Sequence, residues 1–516
     1  MKMERPHFAE LLGQLSIVAD VGVGVPRETG IGAAVLAGRI SRRIDLSPED
    51  TAAAFYASLL RYIGCSVAIP ETVNLTLGDV HGYQRALGLA DMADAADLRH
   101  WLNLEMAPDA PEDEKCEVLD LLDGIHADSN IMNSVTKSHC DLARQLASDA
   151  GMPTGVTDAL EQIYERHDGK GFPAGTEGAM LTFPARIMHV STAFELQRRK
   201  MGVEWAVAQV RARIGGQFCP GICEAVLSDT AGLVADMDGP TLMDIYLSEA
   251  PDYEAFGKLT ILDIARACAH NVDHRSVYTL GHSVAVSDLA VRAGTAAELS
   301  PEIIDHLRIA GLLHDVGKVG LPATLLNKAA PLSRAEQAQL EQHTYLTDSI
   351  LRATAAFESY ASLASSTHER ADGSGYHRQL KSPEFHVQLL AACEAYMTLR
   401  EERPGQPAKE AKETCKQLSE EAREGKWDPM VIRAIVHAES GPTASLDALP
   451  NGLSRREAEV VCLIARGLSN KEIAAKLYIS PKTVEHHTAH IYDKIGTRGR
   501  AAAALFAVQN GLVSGR

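Results

Sequence analysis

The segment 312–318, Leu-Leu-His-Asp-Val-Gly-Lys, places two metal-ligand side chains and a cation inside an apolar helical pattern. Such a helix is expected to be buried, and a buried charge must be paired or bound to a metal. His314 and Asp315 are therefore candidate metal ligands. Helical spacing returns Lys318 to the same face, beside any anion that such a metal holds. A core salt bridge between Asp315 and Lys318 explains this segment equally well when the segment is taken alone.

The distribution of charge divides the chain into a large acidic body and a small basic end. The 516 residues carry a net charge of −18, and their number exceeds that of one ordinary core. Residues 450–516 hold ten Lys and Arg against five Asp and Glu, so they carry +5 while the remainder carries −23. A chain that coats nucleic acid over its whole surface is thereby excluded. Without a membrane-length apolar run or a signal-type segment, we expect a cytoplasmic protein with no membrane partner.

The basic end, residues 453–516, has the pattern of four short helices. Ser469 and Glu472 have the spacing of a capping box before the second helix. Ser480 is placed to cap the third helix, with Pro481 at the first helical position. The turn-forming residues of 441–452 predict a linker between this module and the acidic body.

Three segments of this module closely resemble the LuxR-type DNA-binding domain: 453–457 (LSRRE), 467–474 (GLSNKEIA) and 480–485 (SPKTVE). The resemblance implies a four-helix, helix-turn-helix fold that binds double-stranded DNA as a homodimer. It implies base contacts from Glu485, His486 and Ala489. The residues that it places near phosphates are Lys471, Lys482, Thr483 and Arg498. A helical docking module that touches no DNA is the alternative.

A second resemblance covers residues 255–440. Gly281-His282-Ser283 precedes segment 312–318, and His343 and the segment 368–376 (HERADGSGY) follow it. In this order these residues resemble the HD-GYP domain, a helical phosphohydrolase of the HD superfamily that typically cleaves cyclic di-GMP. The family therefore implies a cyclic dinucleotide, or another phosphate-containing ligand, as a partner.

The resemblance also implies a site for two divalent metals that share Asp315. Its ligands would be His282, His314, Asp315, His343, His368 and, in place of a final Asp, Glu394. Imidazole and carboxylate together suit Fe, Mn, Ni or Zn. Asp315 and Lys318 would be the catalytic pair, with Lys318 stabilising charge on the scissile phosphate. The substrate loop would contain Asp372, Gly373, Gly375 and Tyr376.

Two departures from the family pattern leave catalysis open. Thr367 stands where the family has the first His of a His-His pair, which leaves the second metal one ligand short. His377 replaces the proline of the Gly-Tyr-Pro loop. The site is therefore compatible with ligand sensing or weak metal-dependent phosphohydrolase activity, and equally with a cyclic di-GMP phosphodiesterase that has an accessory DNA-binding tail.

The first half, residues 1–245, repeats the second in faded form. Leu46-Ser47-Pro48 matches Leu299-Ser300-Pro301, and at the same offset Arg61 and Tyr62 replace the His-Asp pair. Tyr164 replaces His368, and Thr192 stands near the place of Glu394. We therefore expect an all-α protein in which two HD-type helical bundles, the first without metal, precede the helix-turn-helix domain. As a whole, the sequence predicts a DNA-binding transcriptional regulator.

Overall fold

The computed structural model describes residues 8–65, 75–239, 242–251, 259–276, 278–440, 451, 453–477, 480–497, 499–510 and 512. These residues form helices and turns, with isolated β-bridges but no β-strand among them, so the all-α prediction is confirmed. The chain divides into two compact units, residues 1–260 and 261–516. None of the described helices is long and apolar enough to cross a membrane.

The first unit contains thirteen described α-helices and a short 3-10 helix, Gly178–Met180. The α-helices are α1 (Phe8–Val23), α2 (Thr29–Arg43), α3 (Pro48–Leu59), α4 (Val80–Leu89), α5 (Ala95–Glu105), α6 (Glu112–Ala127), α7 (Ser129–Asp149), α8 (Thr154–Glu161), α9 (Phe183–Met201), α10 (Val203–Ala212), α11 (Pro220–Ser228), α12 (Thr230–Leu233) and α13 (Leu242–Glu249). The central bundle is α2, α3 and α9, which pack against one another. Helix α13 contacts α2, and the ring of its Tyr246 stacks on that of Phe55 in α3 at 5.4 Å.

The second unit contains thirteen described α-helices and the 3-10 helix Val316–Gly320. The α-helices are α14 (Ile261–Asp273), α15 (His282–Ala296), α16 (Pro301–Leu313), α17 (Ala323–Leu326), α18 (Arg334–Leu351), α19 (Ala355–Ala364), α20 (Phe385–Arg400), α21 (Ala411–Arg423), α22 (Pro429–Ser440), α23 (Arg455–Ala465), α24 (Asn470–Leu477), α25 (Pro481–Ile495) and α26 (Arg500–Gln509). Helix α15 packs on α16, α20 and α22, and this bundle forms the scaffold of the site described below.

The prediction of a continuous helix through segment 312–318 is wrong in one respect. Helix α16 ends at Leu313, His314 is its C-cap, and a 3-10 helix begins at Val316. The cause lies at Gly317, where a Cβ would stand 2.0 Å from the carbonyl oxygen of His343. The backbone of α18 therefore approaches this turn more closely than a side chain allows.

The same close approach occurs in the first unit, which supports the internal repeat. A Cβ on Gly64 would stand 2.5 Å from the carbonyl oxygen of His139. The helices before the two glycines also begin alike. The hydroxyl of Ser47 accepts a hydrogen bond from Asp50 N, and that of Ser300 accepts one from Ile303 N. Each half therefore turns from helix into loop against a later helix of its own, α7 in the first unit and α18 in the second.

The C-terminal module forms the predicted four helices, α23 to α26, around its own apolar core. Ser469 and Glu472 exchange capping hydrogen bonds of 2.8 and 3.4 Å, and Ser480 accepts one from Thr483 N at 3.1 Å. Helix α25 ends at Gly496, which has the left-handed conformation common after helices. The linker predicted at 441–452 lies outside the described residues, apart from Asn451.

Candidate metal centre

The predicted ligands come from separate parts of the second unit. His282 is the first residue of α15, His314 and Asp315 follow α16, and His343 lies in α18. His368 follows α19, and Glu394 lies in α20. All but His368 are at most 4% exposed. The fold therefore brings side chains that are distant in sequence into one buried cluster.

Two groups in this cluster have the geometry to hold a metal ion. One group is His282, His314 and Asp315, and the other is Asp315, His343 and His368. Within each group, one ligand atom per residue lies within 4.8 Å of the others. Asp315 belongs to both groups, since its Oδ1 lies 3.4 Å from Nε2 of His314 and 3.7 Å from Nε2 of His343. One carboxylate is thus placed to bridge two ions.

The donor atoms of the cluster lack partners within the protein. Five of them are buried without a hydrogen-bond partner among the described residues: Nε2 of His282, His314, His343 and His368, and Oδ1 of Asp315. Buried polar atoms are normally satisfied, and an orphaned atom needs an explanation. Five orphaned metal-ligand atoms that point at one another fit a bound cation, which is the chemistry that their side chains prefer.

The opposite nitrogens of these imidazoles are held in place. Nδ1 of His314 donates to the carbonyl oxygen of Gly311 at 2.8 Å, and Nδ1 of His343 donates to that of Leu340 at 2.6 Å. A donating Nδ1 leaves Nε2 unprotonated and free to bind a metal. Burial and the charge of His368 lower the pKa of His343 to about 3, which keeps its ring neutral at pH 7.

His282 is oriented by a residue that the sequence did not reveal. Its Nδ1 lies 2.8 Å from Oε2 of Glu401, just past the end of α20. Glu401 also accepts a 2.8 Å hydrogen bond from Arg403. A carboxylate behind a metal-binding imidazole fixes the ring and raises its basicity. No spacing motif connects residues 282 and 401, so only the folded chain identifies this pair.

Asp315 and Lys318 also form the ion pair that was the alternative explanation of segment 312–318. Nζ of Lys318 lies 2.5 Å from Oδ2 of Asp315, which leaves Oδ1 facing the imidazoles. Burial alone would raise the pKa of Asp315, but His314 and Lys318 hold it well below the usual range. The carboxylate is therefore charged, and the ion pair and the metal groups coexist.

Glu394 and Thr367 stand at the positions where the family pattern is altered. Oε1 of Glu394 accepts a 2.8 Å hydrogen bond from Thr398, and its Oε2 lies 4.0 Å from Nδ1 of His368. Glu394 is not a member of either metal group. The Thr367 hydroxyl is fully buried and has no partner among the described residues. Thr367 thus borders the cluster, and Glu394 lies beside His368, where its role as a ligand stays a prediction.

An open cavity of about 470 Å³ lies over the cluster. Asp315, His343 and His368 form its floor, and the cations Lys318, Lys328 and Arg403 line it. Of the predicted substrate loop, Tyr376 lines the cavity, with its ring stacked on His368 at 4.7 Å. Asp372, Gly373 and Gly375 are not among the lining residues. The cavity thus joins an acidic and imidazole floor to cationic walls, an arrangement suited to a phosphate ester.

The first unit lacks a comparable metal group among its described residues. Arg61 and Tyr62 occupy the turn where the second unit has His314 and Asp315, and the Tyr164 hydroxyl hydrogen-bonds Nδ1 of His139 at 3.1 Å. A side chain that carries positive charge stands where the second unit would hold a cation.

The predicted DNA-contacting side chains that the structure describes are exposed. On α25 these are Lys482, Thr483, Glu485, His486 and Ala489, and on α24 Lys471 is exposed as well. The opposite face of α25 is buried in the core of the module through Val484, Thr488, Ile491 and Ile495. Arg498 lies outside the described residues. The N-terminal half of α25 is therefore free to meet a DNA groove.

Comparisons with family models agree with both sequence resemblances. A model described as "HD domain" matches residues 126–212 and 266–431, and so includes part of each half. A model described as "Bacterial regulatory proteins, luxR family" matches residues 451–507.

Curated relatives divide in the same way. The 3'3'-cGAMP-specific phosphodiesterase 3 of Vibrio cholerae is 24% identical over 407 residues, which cover 77% of this chain and 87% of that protein. A cyclic di-GMP phosphodiesterase of Pseudomonas aeruginosa is 31% identical over 166 residues, 31% of this chain and 39% of that protein. The transcriptional regulatory protein LiaR of Bacillus subtilis is 45% identical over 69 residues, 13% of this chain and 33% of that protein.

The crystal structure of the cyclic GMP-AMP specific phosphodiesterase V-cGAP3 of V. cholerae has the same fold. It superposes with a TM-score of 0.57 at 21% identity and covers 84% of this chain and 98% of that one. HD-family phosphodiesterases of this kind are metal-dependent. The present chain therefore combines HD-domain sequence in both halves with a C-terminal LuxR-type DNA-binding domain, and it is homologous to the HD-GYP phosphodiesterases of cyclic dinucleotides.

Proposed function

We propose that this protein is a transcriptional regulator whose metal site binds a cyclic dinucleotide and thereby controls the DNA-binding domain. The observation that carries the proposal is the set of five orphaned ligand atoms in a chain that also has an exposed recognition helix. An apolar or hydrogen-bonded core would have no need of such atoms. Their presence together supports a site that is completed by a bound ligand.

The metal would be held by His282, His314 and Asp315, and a second ion by Asp315, His343 and His368. The nitrogen and carboxylate donors suit Fe, Mn, Ni or Zn. When bound, the metal supplies Lewis-acid polarisation of a phosphoryl oxygen.

The protein's own cations would position the phosphate ester. Lys318, Lys328 and Arg403 line the cavity and would bind non-bridging oxygens. Tyr376 would offer its ring to a base, since it already lies flat against His368. A cyclic dinucleotide has both phosphates and bases, so its chemistry matches the lining, and the names of several relatives include such substrates.

A direct contact offers a route from this site to the DNA-binding domain. Leu280, two residues before His282, packs against the core cluster of the C-terminal module. Helix α14 contacts α26, in which all residues from Ala502 to Ala507 are at most 9% exposed. A ligand that shifts α15 would release α26, and the freed helices would pair on DNA as a homodimer.

The test measures DNA binding with and without the ligands. Wild-type protein is titrated against DNA selected from genomic fragments, in EDTA, in Mn²⁺, and in Mn²⁺ with cyclic di-GMP or 3'3'-cGAMP. We expect the affinity for DNA to change at least fivefold between these conditions, as is typical of allosteric coupling of about 1 kcal/mol. His437→Ala, which removes an exposed histidine outside the cluster, should respond as wild type does. Equal affinity in all conditions would refute the coupling.

A second candidate function is hydrolysis of the cyclic dinucleotide. The observation in its favour is Lys318, which lines the cavity while bound to Asp315, so that a cation is already placed for charge that develops on phosphorus. Product formation in Mn²⁺ or Fe²⁺, lost in Lys318→Met, would establish it. Ligand binding without turnover would leave the site a sensor.

A further inference from the structure

The first unit has a small cavity of about 70 Å³ at the place that corresponds to the metal centre. Arg61, Tyr62, Tyr164, His189 and Thr192 are among its lining residues. Arg61 comes from the turn after α3, and Thr192 from the middle of α9. The cavity therefore lies where a functional HD domain would hold its ions, but it is lined by a different set of side chains.

Arg61 has no acidic partner among the described residues. Its Nη1 lies 3.6 Å from Sγ of Cys65, and its guanidinium carbon lies 4.9 Å from the ring centroid of Tyr164 and 5.4 Å from that of Tyr62. Burial raises the pKa of Tyr62 and of Tyr164, so neither phenol is an anion at neutral pH. A guanidinium is always protonated, so a positive charge lies beside this cavity with no counter-ion in the part of the chain that the structure describes.

Three other charged groups line the cavity, of which Arg166 and Glu165 are already engaged and Lys170 is exposed. Arg166 forms ion pairs with Asp91 and Asp168. The carboxylate of Glu165 accepts hydrogen bonds from Ala174 N and Thr176 N, both at 2.8 Å, so it faces its own loop. Neither residue therefore provides a negative charge to neutralise the guanidinium of Arg61.

The imidazoles near the cavity are neutral. Burial, together with the charge of Arg61, lowers the pKa of His139 to about 4. Burial also lowers the pKa of His189 to about 4, and its Nε2 is bonded to the carbonyl oxygen of Gln162 at 2.7 Å. At neutral pH these imidazoles thus add no charge, and Arg61 is the cation that lines the cavity together with exposed Lys170.

We propose that the first unit binds a phosphate group on Arg61, without metal. A half-buried charge without an acidic partner is costly, and an anion in the cavity would offset that cost with charge-assisted hydrogen bonds from the guanidinium. The hydroxyl of Tyr164, held between Cys65 Sγ at 3.2 Å and His139 Nδ1 at 3.1 Å, is a further polar group of the lining. In this proposal both units bind phosphate, but the first unit uses the guanidinium of Arg61 where the second unit uses metal ions.

The size of the cavity defines the ligand. Its 70 Å³ admits one phosphate group, whereas the cavity of the second unit, at 470 Å³, admits a nucleotide. A nucleotide bound in the first unit would therefore keep its base outside, and exposed Lys170 at the rim would meet a second phosphate. The shared chemistry is a phosphate group, either free or at the end of a nucleotide.

The test uses the full-length chain with Asp315→Asn, in EDTA, so that the metal centre makes no contribution. Calorimetric titrations with inorganic phosphate, with guanosine 5'-monophosphate and with cyclic di-GMP distinguish a free from a nucleotide-borne phosphate. Because Lys318, Lys328 and Arg403 remain in the second cavity, we expect saturable binding in which one phosphate group per chain depends on Arg61. The absence of heat at millimolar phosphate and at millimolar nucleotide would overturn the proposal without any variant of the first unit.

Variants of Arg61 then locate the site. Arg61→Met should weaken binding roughly tenfold or more, because the charge-assisted hydrogen bonds are lost. Arg61→Lys keeps the positive charge but loses the planar N–H donors of the guanidinium, so it should bind phosphate with intermediate affinity. The comparison requires that its thermal midpoint match that of the parent. Arg211→Ala, which removes an exposed arginine on α10, is the matched control. Equal affinity in folded Arg61→Lys, Arg61→Met and the parent would show that Arg61 only fills the old metal site.

Discussion

Nδ1 of His282 lies 2.8 Å from Oε2 of Glu401, so this imidazole faces a carboxylate on one side and the candidate metal centre on the other. Glu401→Gln keeps the shape of the side chain but removes its charge. We expect it to lower the affinity for Mn²⁺ or Zn²⁺ by about 10- to 100-fold, as is typical when the residue behind a metal ligand is changed. Competition with a chromophoric chelator measures the affinity.

The neighbour Glu402 provides the control for this experiment, because it is exposed and has the same chemistry. Glu402→Gln should bind metal as wild type does. If both variants bind equally well, Glu401 does not support the metal centre. If Glu401→Gln binds none and has also lost its thermal transition, the effect is one of folding.

Thr367 and Thr347 form a matched pair of fully buried threonines with opposite hydrogen bonding. The hydroxyl of Thr367 has no partner among the described residues, whereas that of Thr347 accepts from Gly317 N at 2.9 Å and donates to the carbonyl oxygen of His314 at 3.1 Å. In EDTA, Thr367→Val should leave the free energy of unfolding unchanged or raise it. Thr347→Val should lower it by about 1–3 kcal/mol, since it orphans a buried amide.

Urea denaturation followed by the fluorescence of Trp427, which is buried in the same unit, measures both changes. The metal affinity of Thr367→Val gives a second result. An unchanged affinity means that the threonine only fills the place of the missing histidine. A loss of affinity means that its hydroxyl takes part in binding, and the prediction that the second ion is one ligand short is then wrong.

The sequence indicated the ligand cluster because several of its segments resemble the HD-GYP domain in a regular order, and that resemblance implies the ligands. His314 and Asp315 adjoin one another, whereas His343 and His368 reach the same place only in the folded chain. Glu401 has no such regularity, since its role depends on where the chain turns after α20. The break after Leu313 was also hidden, because an apolar helical pattern does not record that the backbone of α18 touches Gly317.

The helix-turn-helix module was the more predictable part of the fold. Its caps at Ser469 and Ser480 are local, and local hydrogen bonds follow from a few neighbouring residues. The contact between Leu280 and this module joins parts of the chain far apart in sequence. Apolar residues such as Leu280 have the same appearance in sequence whether they face their own domain or another, so that contact required the folded chain.

Lys482 tests the docking of α25 on DNA. It is exposed at the start of that helix, where the predicted contact is to a phosphate. Lys482→Ala should weaken binding to all DNA sequences and reduce the slope of log affinity against log salt by about one. Fluorescence anisotropy at several KCl concentrations measures both quantities.

Lys416→Ala is the control for Lys482→Ala, because it removes an exposed lysine from α21 of the HD domain and so changes the net charge equally. Its salt slope should match that of the wild type. If the two variants behave alike, the effect comes from the net charge of the protein and not from a contact by α25. Glu485→Gln adds a test of specificity, since it should relax the preference at one base pair by about 1–3 kcal/mol.

Glu457 should make the stability of the DNA-binding module depend on pH. Burial alone would raise its pKa, but a 2.6 Å ion pair with Lys494 and the capping bond from Ser454 N hold the pKa at about 2. In the unfolded chain the pKa of a Glu is about 4.3. The stability that the charged Glu457 contributes is therefore complete above that pH and is lost as the pH falls towards about 2. Glu457→Gln should lower the stability of this module by at most about 1 kcal/mol at neutral pH, and the difference from wild type should shrink below about pH 4.5.

Calorimetric melting of the full chain measures the stability of this module. Its transition is identified by its absence from a chain truncated at residue 440. Glu459 forms an exposed ion pair with Arg456, so Glu459→Gln should change the stability less. Equal losses of stability in the two variants would mean that Glu457 has no special role.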